Sequence, residues 1–185
     1  MGELLNKAVI FAVNAHDGQF RKKTNVPYIL HPLETAAIVG TMTTDDEILA
    51  GAVLHDTVED TDTTVLQIKE LFGERVASLV SSESENKRAD KPAALTWKIR
   101  KEETIEHLKT ASADVKMITL GDKLSNIRSI HRDSGVLGDA VWQRFNQKDK
   151  NEHKWYYESI AECLTELKDF DAYREYVYLV KKTFE

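Results

Sequence analysis

Only three prolines and eight glycines occur in 185 residues, so the chain holds few of the residues that most effectively stop a helix. No stretch alternates apolar and polar residues long enough to suggest a strand, and no internal repeat or low-complexity tract is visible. The sequence therefore predicts an all-α protein. Its length suits a single domain over residues 1–185, large enough to bury a core without disulfides. Apolar residues at 42% and charged residues at 30% fit a globular chain rather than a disordered one. The lone Cys163 cannot form an internal bridge, which points to a reducing cytosol. An early Glu3, no cleavage-site pattern and no apolar run near the roughly 20 residues of a membrane span predict an unanchored, cytoplasmic protein. A net charge of -6 argues against a nucleic-acid coat protein, while a small phosphorylated substrate would need only a local basic cluster.

Helical periodicity places Leu4, Leu5, Ala8, Ala12 and Ala15 on one face of a first helix. A polar loop, "DGQFRKKTNVPYIL", covers residues 17–30 and leads to His31-Pro32 at the start of a second helix. Thr44 and Glu47 read as a capping box opening a third helix, "DDEILAGAVLHDTVED". A fourth, "TTVLQIKELFG", should stop at Gly73. Residues 81–93 read as a loop, helices resume over 97–111 and, after a Ser112 cap, 113–132, and two more lie near 151–168 and 171–184. Tyr156, Ile160, Cys163, Leu164 and Leu167 make the stripe of the first of that last pair.

Chemistry enters at residues 51–62. The apolar run Gly51, Ala52, Val53, Leu54 is followed at once by His55, Asp56, Glu59, Asp60 and Asp62. On a helix, His55 and Glu59 are four apart, as are Asp56 and Asp60, so the pairs stack on adjoining faces. A solvated helix end would explain such a cluster. Carboxylates beside an apolar wall, however, are costly unless a cation compensates them, and the functional reading is a metal site. In "DVKMITLGDKLSNIRSI", Met117, Leu120, Leu124 and Ile127 form an apolar stripe, while Asp122, Asn126 and Ser129 line a polar one. Asp122 needs a partner there, either a basic residue such as Arg128 or a cation. His31, His55, Asp56 and Asp122 together would suit a first-row divalent metal with open positions, and the absence of thiolate favours manganese, iron or zinc in a reactive site over structural zinc. Arg21, Lys22 and Lys23 read either as a solvated loop or as positive charge for a phosphorylated ligand.

The order H…HD…D is the metal signature of the HD superfamily. The flanking segments "AHDGQFRKKTNVPYILHPLETAAIV", "AGAVLHDTVEDTDTTVLQIKELFGERVASLV" and "DVKMITLGDKLSNIRSI" closely resemble the hydrolase domain of the alarmone synthetase/hydrolases and the free-standing small alarmone hydrolases of the metazoan type. The resemblance covers roughly residues 5–132. It implies an HD-type helical bundle that holds one manganese ion and removes pyrophosphate from the 3′ position of guanosine tetra- or pentaphosphate. It implies that His31, His55, Asp56 and Asp122 are metal ligands. Glu59 and Asp60 would position or activate the attacking water, and Arg21, Lys22, Asn126 and Ser129 would meet the nucleotide. The implied partner is this small nucleotide, with neither nucleic acid nor membrane. A chain this short leaves no room for a synthetase or regulatory domain, so a dedicated hydrolase is expected.

Several positions depart from the family pattern. Around the last ligand the family usually reads Ala-Asp-Lys/Arg-Leu-His/Tyr-Asn, whereas here Gly121 precedes Asp122 and Ser125 precedes Asn126. The basic loop is one residue longer than in the bifunctional enzymes, leaving Lys22 and Lys23 as alternatives for one role. After Val80 the sequence diverges altogether. Rival readings are an HD hydrolase for an adenosine alarmone, the 2′-phosphate of NADPH or another nucleotide, and an inactive nucleotide sensor. Trp142, Arg144 and Phe145 read either as part of a nucleotide pocket or as a packed corner; Trp155, Tyr156 and Tyr157 read as core and interface residues, and His16 as structural.

Overall fold

The computed structural model describes residues 2–88 and 90–185. Met1, and Ala89 within the expected loop, lie outside the described residues. The fold is all-α: α1 (Glu3–Ala15), α2 (Leu30–Val39), α3 (Asp46–Leu54), α4 (Thr57–Asp60), α5 (Val65–Phe72), α6 (Glu74–Glu83), α7 (Ala93–Thr110), α8 (Ala113–Leu137), α9 (Lys150–Cys163) and α10 (Asp171–Phe184). Short 3₁₀ segments cover Gly138–Arg144 and Thr165–Leu167. Among the described residues the one isolated β-bridge pairs Phe20 with Pro27. Two compact units form, Met1–Ser84 with Ala113–Ser125, and Glu85–Ser112 with Asn126–Glu185.

In the first unit α3 packs against α1, α2 and α6, and α5 against α6. Ala8, Ala12, Ala50, Val53, Leu54, Ile68, Phe72 and Val76 lie in its core. The small residues of α3 let it sit at the centre. A Cβ on Gly51 would stand 3.2 Å from Ile118 Cδ1 and 3.3 Å from Leu79. The approach of α8 to α2 is closer still: a Cβ on Gly121 would meet Val39 Cγ2 at 2.8 Å and the Thr35 carbonyl at 2.9 Å.

Two expectations in this unit are corrected. Asp45, not Thr44, caps α3, its Oδ1 accepting from the backbone of Glu47 (2.9 Å) and Ile48 (3.2 Å). The helix expected to run through "HDTVED" breaks at His55–Asp56 into α3 and α4. The His55 ring nitrogen Nδ1 reaches the Ala52 carbonyl (2.8 Å) and Thr57 Oγ1 donates to the Leu54 carbonyl (2.7 Å), so side chains compete for carbonyls that the helical ladder would use. The Thr64–Gln67 capping box opens α5, and Gly73, at φ 92°, closes it as expected.

In the second unit α9 packs against α7 and α10. Trp142 stacks on Phe184 with ring centroids 5.4 Å apart, and His153 touches the rings of Trp97, Trp142 and Phe145. Arg144 pairs with Asp133 at 2.6 Å. Of the two readings of this segment, the structure builds the packed corner. Tyr156 and Tyr157 are buried, whereas Cys163 is half-buried and lies at the end of α9. The helix there stops five residues before the expected 168, giving way to the 3₁₀ turn. The expected loop is shorter than 81–93, because α6 reaches Glu83 and Pro92 precedes the first turn of α7. Finally α8 runs to Leu137, five residues past expectation.

Candidate metal centre

Three helices of the first unit bring four groups together. His31 is the second residue of α2, His55 and Asp56 form the break after α3, and Asp122 lies within α8. His31, His55 and Asp122 are 3%, 2% and 6% exposed. One donor atom from each of these three lies within 4.8 Å of the others. Asp56 Oδ2 stands 3.4 Å from His31 Nε2 and 3.1 Å from His55 Nε2, and Asp122 Oδ1 stands 3.2 Å and 4.0 Å from the same two nitrogens. Two imidazoles and two carboxylates therefore face one point.

The far side of each ring decides what it offers that point. His55 Nδ1 faces the Ala52 carbonyl, which can only accept, so Nδ1 carries a proton and Nε2 is turned inward. His55 Nε2 is buried, and its 3.1 Å approach to Asp56 Oδ2 lacks the alignment of a hydrogen bond. A buried nitrogen so poorly satisfied has room for a further group to complete it. On His31, Nδ1 lies 2.8 Å from Ser125 Oγ.

Charge at this point is out of balance. Burial resists ionisation of Asp56, yet His55 and His31 hold its carboxyl well below the usual range. Burial resists ionisation of Asp122 too, but Lys123 and His31 hold it low. Burial disfavours a charged His55, and Asp56 overrides this, pushing the imidazole up to about 10. The half-buried Asp56 and the buried Asp122 thus demand positive charge, and protons supply it where a cation does not. Two inward nitrogens and two carboxylate oxygens make a nitrogen–oxygen donor set that fits a first-row divalent ion.

Around this point stand residues of two kinds, those the sequence marks out and those it does not. Asp60 is held on α4, its Oδ2 2.9 Å from the Tyr28 hydroxyl, which also lies 2.6 Å from Asp56 Oδ2. Gln19 Nε2 donates to the Asp60 carbonyl at 2.8 Å, and His16 Nδ1 reaches Gln19 Oε1 at 2.9 Å. Buried His16 also packs on the Tyr28 ring. The loop between α1 and α2 folds back on itself through Arg21 N to Val26 O and Tyr28 N to Gln19 O. That turn sets the Arg21 guanidinium 5.7 Å above the Tyr28 ring, with Lys22 exposed beside it and Lys23 at φ 54°. Glu59 is half-buried on α4. Asn126 and Ser129 follow Asp122 on α8 by four and seven positions but belong to the second unit, where Ser129 Oγ accepts from Arg132 at 3.3 Å.

Arg128, the basic residue the sequence offered to Asp122, binds Glu175 through two hydrogen bonds. Asp122 pairs with the adjacent Lys123, 2.5 Å from Oδ2, while its Oδ1 faces the imidazoles. Sequence reasoning missed Tyr28, whose place three residues before His31 in "PYILHP" is the signal that could have found it. It also missed Glu83, hidden in a serine-rich stretch read as loop. Burial pushes the Glu83 carboxyl up to about 7, against the pull of Lys123 and a 2.7 Å hydrogen bond from Thr119 Oγ1.

The HD domain family matches residues 8–148. Over 131 residues the chain is 38% identical to the guanosine-3′,5′-bis(diphosphate) 3′-pyrophosphohydrolase of Aquifex aeolicus, covering 69% of this chain and 18% of that protein. Over 132 residues it is 36% identical to the guanosine-3′,5′-bis(diphosphate) 3′-pyrophosphohydrolase MESH1 of Danio rerio, covering 70% of each. Many of the curated relatives are far longer, and the match spans less than a fifth of their length. Among solved structures, a crystallised protein of Listeria monocytogenes EGD-e is 33% identical, with a TM-score of 0.73 over 87% of this chain and 98% of that one. A metazoan orthologue of SpoT, described as hydrolysing ppGpp, shares the fold with a TM-score of 0.77 at 24% identity over 97% and 95% of the two chains. With more than two thirds of its length matched by the family and a metal-type cluster at the signature histidines and aspartates, the chain belongs to the HD domain family.

Proposed function

We propose that residues 1–185 act as one metal-dependent phosphohydrolase domain that removes the 3′-pyrophosphate of guanosine 3′,5′-bis(diphosphate), giving GDP and pyrophosphate. The observation that carries this reading is the convergence of His31, His55, Asp56 and Asp122 on one point, with Asp60 and Tyr28 beside it. The similarity to a curated hydrolase of comparable length supports the substrate. In this reading His31, His55, Asp56 and Asp122 hold one manganese ion. When bound, the ion lowers the pKa of a coordinated water and polarises the phosphoryl group.

The residues of the chain do the rest. Glu59 and Asp60, one turn past His55 and Asp56, position the water and accept its proton as its oxygen bonds to phosphorus. The bond from phosphorus to the ribose 3′ oxygen breaks, and that oxygen takes up a proton. Tyr28 keeps Asp60 oriented, so the acceptor need not reorganise during reaction. Arg21 and Lys22 offer charge to the diphosphates at the loop before α2, and Asn126 and Ser129 contact the nucleotide from α8. No described helix is long and apolar enough to cross a membrane.

The test is a product assay with manganese and, separately, guanosine tetraphosphate, its adenosine counterpart and NADPH. Fastest release of GDP and pyrophosphate from the first supports the proposal. Preference for another compound reassigns the substrate, and metal binding without turnover of any makes the protein a sensor.

A further inference from the structure

Gly121 and Ser125 lie four residues apart on α8, on the face that meets α2. The glycine permits the close crossing at Thr35 and Val39, where any Cβ would collide with backbone. One turn further along, that crossing brings the buried Ser125 hydroxyl 2.8 Å from His31 Nδ1 and 2.8 Å from Glu34 Oε2. We propose that Glu34 and Ser125 form a carboxylate–hydroxyl relay that fixes the tautomer and orientation of His31, making both of them positioning residues for the metal centre. The inference rests on the metal-site part of the function proposed above.

The hydroxyl's single proton carries the argument. A carboxylate can only accept, so Ser125 donates to Glu34 and turns its lone pairs toward His31. His31 Nδ1 must then be the donor. A neutral His31 consequently presents a bare Nε2, the form that can ligate, to the point it shares with His55 and Asp122. The opposite tautomer would aim an N–H at Asp122 Oδ1, 3.2 Å away, and that hydrogen bond would compete with a cation. Ligating histidines commonly pass their second N–H straight to a carboxylate. Here the carboxylate sits one hydroxyl further out. Gly121 and Ser125 therefore act together, the first bringing the helices close and the second spanning the gap.

The test reads manganese binding by equilibrium titration with electron paramagnetic resonance, on the full chain without nucleotide. Ser125→Ala should weaken manganese binding by roughly 10- to 100-fold, with the helical signal and metal-free melting temperature near wild type. Ser125→Thr, which restores a hydroxyl, should recover most of that loss. Glu34→Gln should weaken binding too, because a carboxamide can turn its NH₂ toward Ser125 and reverse the relay. Nitrogen-15 spectra of the zinc-loaded protein should show the His31 proton on Nδ1 in wild type. Wild-type affinity in Ser125→Ala and Glu34→Gln, or loss in Ser125→Thr equal to that in Ser125→Ala, would overturn the relay. Because the readout is metal binding, failure to hydrolyse guanosine tetraphosphate would count against the proposed substrate while leaving the relay standing.

Discussion

The Tyr28 hydroxyl lies 2.6 Å from Asp56 Oδ2, a carboxylate oxygen that itself stands 3.1 Å from His55 Nε2. Asp60 Oδ2 is 2.9 Å from the same hydroxyl, so one proton serves two carboxylates. Burial and then those two charges hold the Tyr28 hydroxyl well above the ordinary tyrosine value, so it stays a donor at any working pH. Tyr28→Phe should remove a hydrogen bond to charged groups worth about 1.5–3 kcal/mol. Turnover should fall by one to two powers of ten, with the ring packing on His16 retained. Steady-state kinetics on Tyr28→Phe check this; unchanged kcat would mean Asp60 needs no such support.

Ligands and proton acceptors should separate on substitution. Asp122→Ala removes a group whose Oδ1 faces both imidazoles, so metal and activity should be lost together. Glu59→Ala leaves all four converging side chains in place and should keep the metal while turnover falls about 10²- to 10⁴-fold, the usual contribution of a general base. Metal content after dialysis, measured beside kcat, distinguishes the two. Equal loss of metal in both variants would make Glu59 a ligand.

The sequence carried the all-α class and the four converging residues because both rest on local signals: helical periodicity, few breakers, and charge placed where burial makes it expensive. What escaped it depends on contacts between distant segments. Nothing near Arg128 told that it would meet Glu175, 47 residues away. Tyr28 looks like an ordinary loop aromatic until the turn at 20–27 delivers its hydroxyl to α4. The break at His55 was hidden for a related reason, because "HDTVED" has good helical spacing and only the side-chain bonds to Ala52 and Leu54 interrupt it.

Gly121 is a position where a single methyl group should matter. Its Cβ would lie 2.8 Å from Val39 Cγ2 and 2.9 Å from the Thr35 carbonyl, and the carbonyl belongs to a helix backbone that cannot give locally. Gly121→Ala should therefore destabilise by about 1–3 kcal/mol, the usual cost of overpacking, outweighing the roughly 1 kcal/mol that alanine gains over glycine in a helix. Chemical denaturation of the metal-free protein measures this. Stabilisation by the substitution would show that α2 and α8 can separate freely.

Glu83 gives a pH dependence whose sign follows from its environment. Its carboxyl is raised from 4.5 to about 7, first by burial, with Lys123 and the Thr119 hydroxyl opposing. The folded protein thus holds this proton more tightly than the unfolded chain, and the associated stability is fully present below about pH 4.5. Raising the pH from 4.5 to 7 forces the folded state to give up the proton or keep it at a cost, so stability falls across that window. Glu83→Gln keeps the Thr119 contact and has no proton to lose. The difference in unfolding free energy between wild type and Glu83→Gln, both metal-free, should therefore shift in favour of the variant as pH rises through 4.5 to 7 and level off above it. A difference that stays flat over this range would mean Glu83 titrates as an ordinary carboxylate, reached by solvent at the end of α6.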